Sequence, residues 1–577
     1  MSDVEVRYYG KIKALLAGDY LKVFPILAVF IAASCLDLVG LSLIASFIQA
    51  VLGPENSFII SFLNNIRFFK DGSSFDMLVL YGFGLLFFYI LKTGFGLYVN
   101  KTMVSFSQLR QRRLSNLLTE KLLSLNPLEA RKEDSAYYIQ NIQILTDSFS
   151  KQVLLPIFRI CSDGLIVIML LVYLAIQNFL AFGLIFLMVS ILTYSYDRFF
   201  GRIQQLQGEI SNKASQSVVQ NVGEIFLGLT EIRLFAKNNF FIDRIKKQTR
   251  TFSEATAKGL TIALAPRYAT ELVLMSYIIG VYFLLSATGN SQTEILSTFG
   301  VYAFAAMRII PLGNSVLNAF SELRLRTDTV NRLYSNFTSG LDGFSHIQVG
   351  IDDQIFSPDN FESLEFNNVK FDYGVNKPIL NKVNFKINAG ELVALIGESG
   401  SGKSTVLSLI LGFIKPTSGE IILNSKSHYC DNYFESNCSY SPQTPFCMSG
   451  SIYENVALAY FDSESSKKAM ACLVQSGFTD DYDDSILHKK LSSNGTNLSG
   501  GQLQRLALAR AFFFDRDILL LDEMTSSLDS SMEQMIFSTV KKMKGKKTIV
   551  VSTHSVDELD GFDKIFEVKS GQVKQLR

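Results

Sequence analysis

A helical membrane bundle fused to an α/β nucleotide-binding domain of the P-loop type is the fold class this sequence predicts. Three observations carry the expectation. Six apolar runs lie within residues 1–337, a phosphate-loop pattern follows at 397–404, and an apolar strand pattern ends in the carboxylates Asp522 and Glu523. The bulk numbers agree. A chain of 577 residues is too long for one ordinary domain. It is 48% hydrophobic and 19% charged, an average that merges an apolar first part with a second part of ordinary polarity. A net charge of +1 gives no case for a nucleic-acid partner.

The apolar runs come first. A helix rises ~1.5 Å per residue, so ~20 apolar residues cross ~30 Å of hydrocarbon. The runs 22–52, 77–99, 152–176, 178–197, 260–287 and 294–321 meet that length, some by tolerating a charge. The third and fourth are so close that they must form a tight hairpin. Lys and Arg set the orientation. Between runs two and three lie Lys101, Arg110, Arg112, Arg113, Lys121, Arg131 and Lys132, and between runs four and five Arg198, Arg202, Lys213, Arg233, Lys237, Arg244, Lys246, Lys247 and Arg250. Arg67 and Lys70 in the first connection are a mild exception. Basic loops face the cytoplasm, which places both termini inside the cell. Both basic stretches keep helical periodicity, so the membrane helices should continue beyond the bilayer and turn back near Asn126–Asp134 and near Gly228–Asn239.

Seven ionisable residues interrupt the apolar runs: Asp37, Lys92, Arg159, Asp163, Arg267, Glu271 and Arg308. Each costs ~2.5–3.5 kcal/mol at a helix centre, so most should face a polar cavity or one another. Two readings stay open. Lys92, Arg159, Arg267 and Arg308 could line a path for an anionic substrate, or they could pair within the membrane, as Arg267 and Glu271 can at i,i+4 spacing. Asp37 could do either.

The cysteines Cys35, Cys161, Cys430, Cys438, Cys447 and Cys472 show no metal-ligand spacing and are expected to be free thiols in a reducing compartment. The opening MSDVEVRYYGKIKALL has early acids and no cleavage site after a short apolar core, so it does not read as a signal peptide.

The second part opens with ELVALIGESGSGKSTVLSLILG, a strand, a glycine-rich loop and a helix. Gly397, Glu398, Ser399, Gly400, Ser401, Gly402, Lys403 and Ser404, with Thr405 following, fit the phosphate-loop pattern. Small residues let backbone N–H groups curl around phosphates, and the helix N-terminus adds its positive end. Lys403 supplies a point charge to the outer phosphates and Ser404 a hydroxyl ligand for Mg²⁺. Downstream, DILLLDE ends a strand in Asp522, suited to hold Mg²⁺, and Glu523, suited to polarise an attacking water. Between these segments, NLSGGQLQRLALARA places Ser499, Gly501 and Gln502 at a second helix tip suited to an anion. A second phosphate-binding tip is redundant for the domain's own ATP. It is best explained as serving the ATP of a second copy.

Together these motifs resemble the ATP-binding cassette family, closely over 361–577 and more loosely over the six runs, in the arrangement of exporter half-transporters. The resemblance implies further roles. Tyr373 in VKFDYG looks like the aromatic that stacks on adenine. Gln443 in SYSPQTPF looks like the loop glutamine that senses Mg²⁺ and contacts the membrane domain. Ser499, Gly501 and Gln502 match the signature sequence. Asp529 in SSLD matches the loop that crosses the dimer interface, and His554 in VVSTHS matches the switch histidine. One departure stands out: Ser493 occupies the place where exporters often carry an acid before the signature. The usual residue types at every catalytic position imply two competent ATP sites in a symmetric homodimer.

The runs LDLVGLSLIASFIQAVL, APRYATELVL and AMRIIPLGNSVLNAF resemble bacterial flippases for lipid-linked oligosaccharides, with Arg267, Arg308 and Lys92 where basic residues are expected to meet a lipid diphosphate. PENSFIISFLNNIRFF resembles that family's external amphipathic helix. The resemblance therefore implies a transporter of the bacterial cytoplasmic membrane that flips a polyprenyl-diphosphate-linked oligosaccharide. The alternative is an exporter of a peptide or small amphiphile. The expected organisation is a membrane domain over 1–337, a linker over 338–360 and a cassette over 361–577.

Overall fold

The computed structural model describes residues 8–16, 18–52, 74–130, 133–177, 179–287, 309, 311–338, 361–374, 378–424, 437–524, 530–554 and 559–577. Arg308, Asp529, the expected amphipathic helix after run one, most of the sixth run and nearly all of the expected linker lie outside the described residues. Contacts divide the chain into two compact units, Met1–Leu125 with Glu129–Gln348, and Asn126–Leu128 with Val349–Arg577.

The first unit is helical among its described residues. A short helix α1 (Tyr8–Leu16) leads to α2 (Val23–Leu52), α3 (Ser74–Ser124), α4 (Leu155–Gln177), α5 (Phe179–Leu227), α6 (Asn238–Ala287) and α7 (Thr327–Thr338). Helices α3, α5 and α6 have 51, 49 and 50 residues. At ~1.5 Å per residue each reaches ~75 Å, over twice the ~30 Å hydrocarbon thickness, so about half of each extends past the bilayer. The turns fall in the expected places: α3 stops at Ser124, and the single helical turn Leu229–Leu234 separates α5 from α6. Four described helices are long and apolar enough to span, or five when the pair Phe182–Tyr196 and Arg198–Leu227, bent by 41°, counts as one. They correspond to the first five apolar runs.

Apolar side chains on α3 such as Phe83, Phe87 and Leu91 are exposed, which suits hydrocarbon and not water. The buried clusters lie nearer the polar ends. Ile12, Leu15, Leu114, Leu118, Phe149, Val330 and Leu333 form one, drawing α1, α3 and α7 together. Glycine allows one very close helix approach: a Cβ on Gly208 of α5 would lie 1.8 Å from the Leu325 carbonyl oxygen. Two π-helical turns, Gln140–Leu145 and Ser150–Leu154, precede α4; the sequence periodicity does not reveal them.

The second unit is built on two main sheets. In chain order its elements are β1 (Ser363–Phe371), β2 (Leu380–Asn388), β3 (Leu392–Ile396), α8 (Lys403–Ile410), β4 (Ser418–Leu423), β5 (Cys438–Ser441), α9 (Ile452–Ala457), α10 (Ser463–Gln475), α11 (Gly500–Phe514), β6 (Ile518–Asp522), α12 (Ser530–Met543), β7 (Thr548–Thr553), β8 (Lys564–Lys569) and β9 (Gln572–Gln575). The antiparallel sheet has the order β2-β1-β4, and the larger sheet the order β9-β8-β3-β7-β6-β5. In the larger sheet only β9 pairs antiparallel. Its central strands are buried on both faces, as parallel strands require. Leu392, Ala394, Leu519, Leu521, Ile549 and Val551 enter one core, while Val393, Leu395, Ile518, Leu520 and Val550 enter the other.

Candidate functional site

Parallel register brings the chemistry together. Ile396 pairs with Thr553 across β3 and β7, Asp522 with Ser552 across β6 and β7, and Ser441 with Leu521 across β5 and β6. The carboxyl ends of four strands therefore share one edge, where open α/β sheets bind ligands. Each strand delivers its motif residue there: the phosphate loop after β3, Gln443 after β5, Asp522 and Glu523 at the end of β6, and His554 after β7.

The loop needs its glycines. Gly397, Gly400 and Gly402 have φ of 154°, 76° and 110°, conformations that side chains resist. A Cβ on Gly397 would also lie 2.3 Å from the Val568 carbonyl oxygen. Gly402 caps α8, so the loop's last N–H groups lie at a helix N-terminus. Lys403, 4% exposed, donates to the carbonyls of Gly397 at 2.8 Å and Glu398 at 3.1 Å. Glu398, Ser399, Gly400 and Ser404 are exposed, while Thr405 is buried. The Ser401 hydroxyl is buried without a hydrogen-bond partner among the described residues, as expected of a group waiting for an acceptor in a phosphate cradle.

Glu523 is the hub. Its Oε2 accepts from Gln443 Nε2 at 2.5 Å, and its Oε1 lies 3.4 Å from His554 Nδ1 and 3.6 Å from Lys403 Nζ. Its φ of 48° is unusual for a residue with a side chain. Asp522 is 3% exposed, with Tyr440 OH at 3.5 Å from Oδ2. Lys403, Gln443, Asp522, Glu523 and His554, chosen from sequence, thus converge. The oxygen donors Ser404, Asp522 and Gln443 are the hard ligand types that suit Mg²⁺.

Other chosen residues stand apart. Tyr373 is half exposed and packs edge-on to Phe371, with ring centroids 4.8 Å apart. Ser499 caps α11 by a reciprocal box: the Gln502 amide donates to Ser499 Oγ at 3.2 Å, and the Ser499 amide donates to Gln502 Oε1 at 2.9 Å. The tip they form with Gly501 is ordered and offers backbone N–H groups, at a helix of 15 residues. Ser493 lies in the single turn Ser493–Gly495 just before it. Two further contributors carry no sequence signal of their own. Ser552 touches both carboxylate residues, and Arg510 of α11 donates to the carbonyls of Asn455 and Phe446 at 2.8 and 2.9 Å, tying α11 to the segment that follows Gln443.

Within the membrane segments, Lys92 Nζ sits 2.5 Å from Asp37 and 4.8 Å from the Tyr89 ring centroid, with both charged side chains at most 15% exposed. Arg267 and Glu271 approach to 3.7 Å with both side chains more than half exposed. Arg159 is exposed and acts electrostatically on Glu322, and Asp163 accepts from Ser315 at 2.5 Å. A cavity of about 590 Å³ lined by Ile160, Leu165, Val273, Tyr277, Ile309 and Val316 is almost wholly apolar. Lys92, Arg159 and Arg267 each meet a different acidic residue, and Arg308 lies outside the described residues.

Residues 380–526 match the ABC transporter family. The fold of the whole chain superposes on a bacterial Atm1-family ABC exporter with ATP bound, at a TM-score of 0.78 and 19% identity, covering 97% of this chain and 95% of that one. The chain carries an ABC transporter cassette and has the fold of an ABC exporter half-transporter. Two relatives are similar over different shares of the chain. A "putative export ATP-binding/permease protein" of Rickettsia bellii is 26% identical over 81% of this chain and 80% of its own. An ATP-dependent lipid A-core flippase of Haemophilus influenzae is 35% identical, over only 37% of each chain. The transporter is an integral membrane protein whose cassette binds ATP and couples its hydrolysis to transport.

Proposed function

We propose that the transporter works as a homodimer in a bacterial cytoplasmic membrane, with both termini in the cytoplasm, and flips an anionic amphiphile, a polyprenyl-diphosphate-linked oligosaccharide. The domain bounds 1–337, 338–360 and 361–577 belong to the same proposal. Each phosphate loop, with Lys403 at its helix tip, grips one ATP, Tyr373 stacks on its adenine, and Ser499, Gly501 and Gln502 of the second copy close over the phosphates. Ser404, Asp522 and Gln443 would hold Mg²⁺, which neutralises phosphate charge when bound. Glu523 orients the attacking water and takes its proton, His554 senses the terminal phosphate, and Asp529 crosses between the cassettes. ATP-driven closure of the cassettes swings the membrane halves outward, and hydrolysis resets them.

The observation that carries the cargo reading is Arg267. Its side chain is 63% exposed at the depth of an apolar run, and its contact with Glu271 is a long 3.7 Å. Such a charge is costly unless something polar meets it, and a planar guanidinium suits a diphosphate. The lipid A-core flippase relative supports a lipid as cargo. Arg159, Arg308 and Lys92 are the further candidates, although Asp37 already neutralises Lys92.

Two measurements test this. In nanodiscs, E523Q should lower ATP turnover by about 10²–10⁴-fold while ATP still binds; undiminished turnover would remove the engine assignment. A polyprenyl-diphosphate-linked glycan should stimulate the wild-type ATPase, and R267A with R308A should abolish that increment. Equal stimulation in the double variant, or stimulation by a neutral peptide instead, refutes the cargo reading.

A further inference from the structure

Three candidates stand out beyond the residues already assigned: the apolar cavity beside Tyr277, the Arg510 strut, and the hydroxyl of Ser552.

Ser552 lies on β7, two residues before His554, and is 1% exposed. It is the register partner of Asp522 on β6. Its Oγ is 2.5 Å from Asp522 Oδ1 and 3.0 Å from the Glu523 backbone N, while its carbonyl oxygen is 3.2 Å from that same N. The direction of each bond is forced. A backbone N–H can only donate, so Ser552 Oγ accepts from Glu523. With Oγ accepting there, its single hydroxyl proton is donated to Asp522 Oδ1. One side chain thus reaches both members of the acid pair, sharing the Glu523 N–H with its own backbone carbonyl. It sets the rotation of the Asp522 carboxylate by a charge-assisted bond, and it anchors the amide of Glu523 in the left-handed conformation from which that side chain meets Lys403, Gln443 and His554. Among the described contacts, the other donor near Asp522 is Tyr440 OH at 3.5 Å, too long to substitute.

We infer that Ser552 is a positioning residue for the cation-binding carboxylate and the general base, acting through Asp522 and the Glu523 backbone without touching the nucleotide. The inference rests on the reading of Asp522 as a cation ligand. Hydrogen-bonding partners of metal ligands typically change metal affinity by about 10–100-fold when removed. The loss should therefore appear in cation affinity, with metal-free ATP binding untouched.

The test uses the full-length transporter in detergent on an E523Q background, so that turnover does not consume the nucleotide. Mn²⁺ affinity in the presence of ATP is read by electron paramagnetic resonance, and ATP binding is measured separately in EDTA. S552A should weaken Mn²⁺ binding by about 10–100-fold while ATP binding in EDTA stays at the parent value, and S552T, which keeps the hydroxyl, should restore Mn²⁺ binding. Unchanged Mn²⁺ affinity in S552A overturns the inference. So does an equal fall of ATP binding in EDTA, which marks a general structural role, or an S552T variant no better than S552A. Parent Mn²⁺ affinity in D522N would overturn it at a different point, by showing that Asp522 is not a cation ligand.

Discussion

Removing the carboxylate of Asp19 should loosen the first unit of the transporter by a few kcal/mol, and the structure shows from where. Asp19 lies between α1 and α2 with its side chain 6% exposed. It faces Arg110 and Arg113 of α3 as well as Lys22. Arg110 is 3% exposed and also donates from Nε to the Leu15 carbonyl at 2.7 Å. The hydrogen bond from Arg113, reinforced by Lys22 against the opposing effect of burial, holds the Asp19 carboxyl down from 3.8 to about 2. At ~1.4 kcal/mol per pH unit that drop corresponds to about 2.4 kcal/mol. Arg113 and Lys22 are 41% and 56% exposed, so solvent screening reduces the figure to about 1–2 kcal/mol. D19A adds the cost of leaving Arg110 buried with only carbonyl acceptors, since breaking a buried pair costs about 3–5 kcal/mol in full. The expected total is about 2–4 kcal/mol.

The pH dependence has a definite sign. A carboxylate whose folded pKa is depressed stabilises above its unfolded value and loses that contribution as pH falls toward the folded one. The difference between wild type and D19A should be full at neutral pH and shrink between pH ~4 and ~2. The chain has 23 tyrosines and no tryptophan, so circular dichroism or tyrosine fluorescence can follow thermal unfolding in detergent. For a unit larger than 250 residues the shift in midpoint should be about 1–2 °C per kcal/mol, extrapolating the size trend. Equal midpoints at pH 7 would refute the reasoning, as would a gap that persists unchanged below pH ~3.

Two further perturbations follow from the packing of the same unit. G208A places a methyl group 1.8 Å from the Leu325 carbonyl oxygen, so α5 must move away, costing about 1–3 kcal/mol or more; a thermal midpoint equal to wild type would show that the approach is not so tight. K92M removes the cation beside the Asp37 carboxylate, whose exposure is 13%, and should lower thermal stability, while K92M with D37N recovers it. If the double variant stays stable but loses lipid-stimulated ATPase, Lys92 serves the cargo as well as its partner; if the double is no more stable than K92M, the pair is not what holds Lys92.

Much of this was legible in the chain itself. The phosphate loop, the capped tip at Ser499 and the pair Asp522–Glu523 are contiguous segments, and a local segment with the right glycines and caps carries its own conformation. The first five apolar runs were legible for a different reason. Hydrocarbon imposes one length and one composition on any spanning helix. The turning points at Ser124 and Leu229–Leu234 followed from where the periodicity broke.

What the chain alone could not reveal are the partners chosen across distance. Nothing near Asp522 announces that a serine 30 residues later will hold its carboxylate; the register of β6 against β7 decides that. Asp37 had two open readings until the packing of α2 against α3 set Lys92 beside it. Arg110 read only as one more cytoplasmic charge, and the docking of α1 made it the buried partner of Asp19, 91 residues away. Sequence by itself determined where the first five long apolar helices run, where the glycine-rich loop meets its helix and which strands end in polar side chains, because those properties depend on neighbours along the backbone. Tertiary structure alone decided which charges pair and which side chains contact the acids, because strand register and helix packing are settled by the whole fold and are written in no single segment.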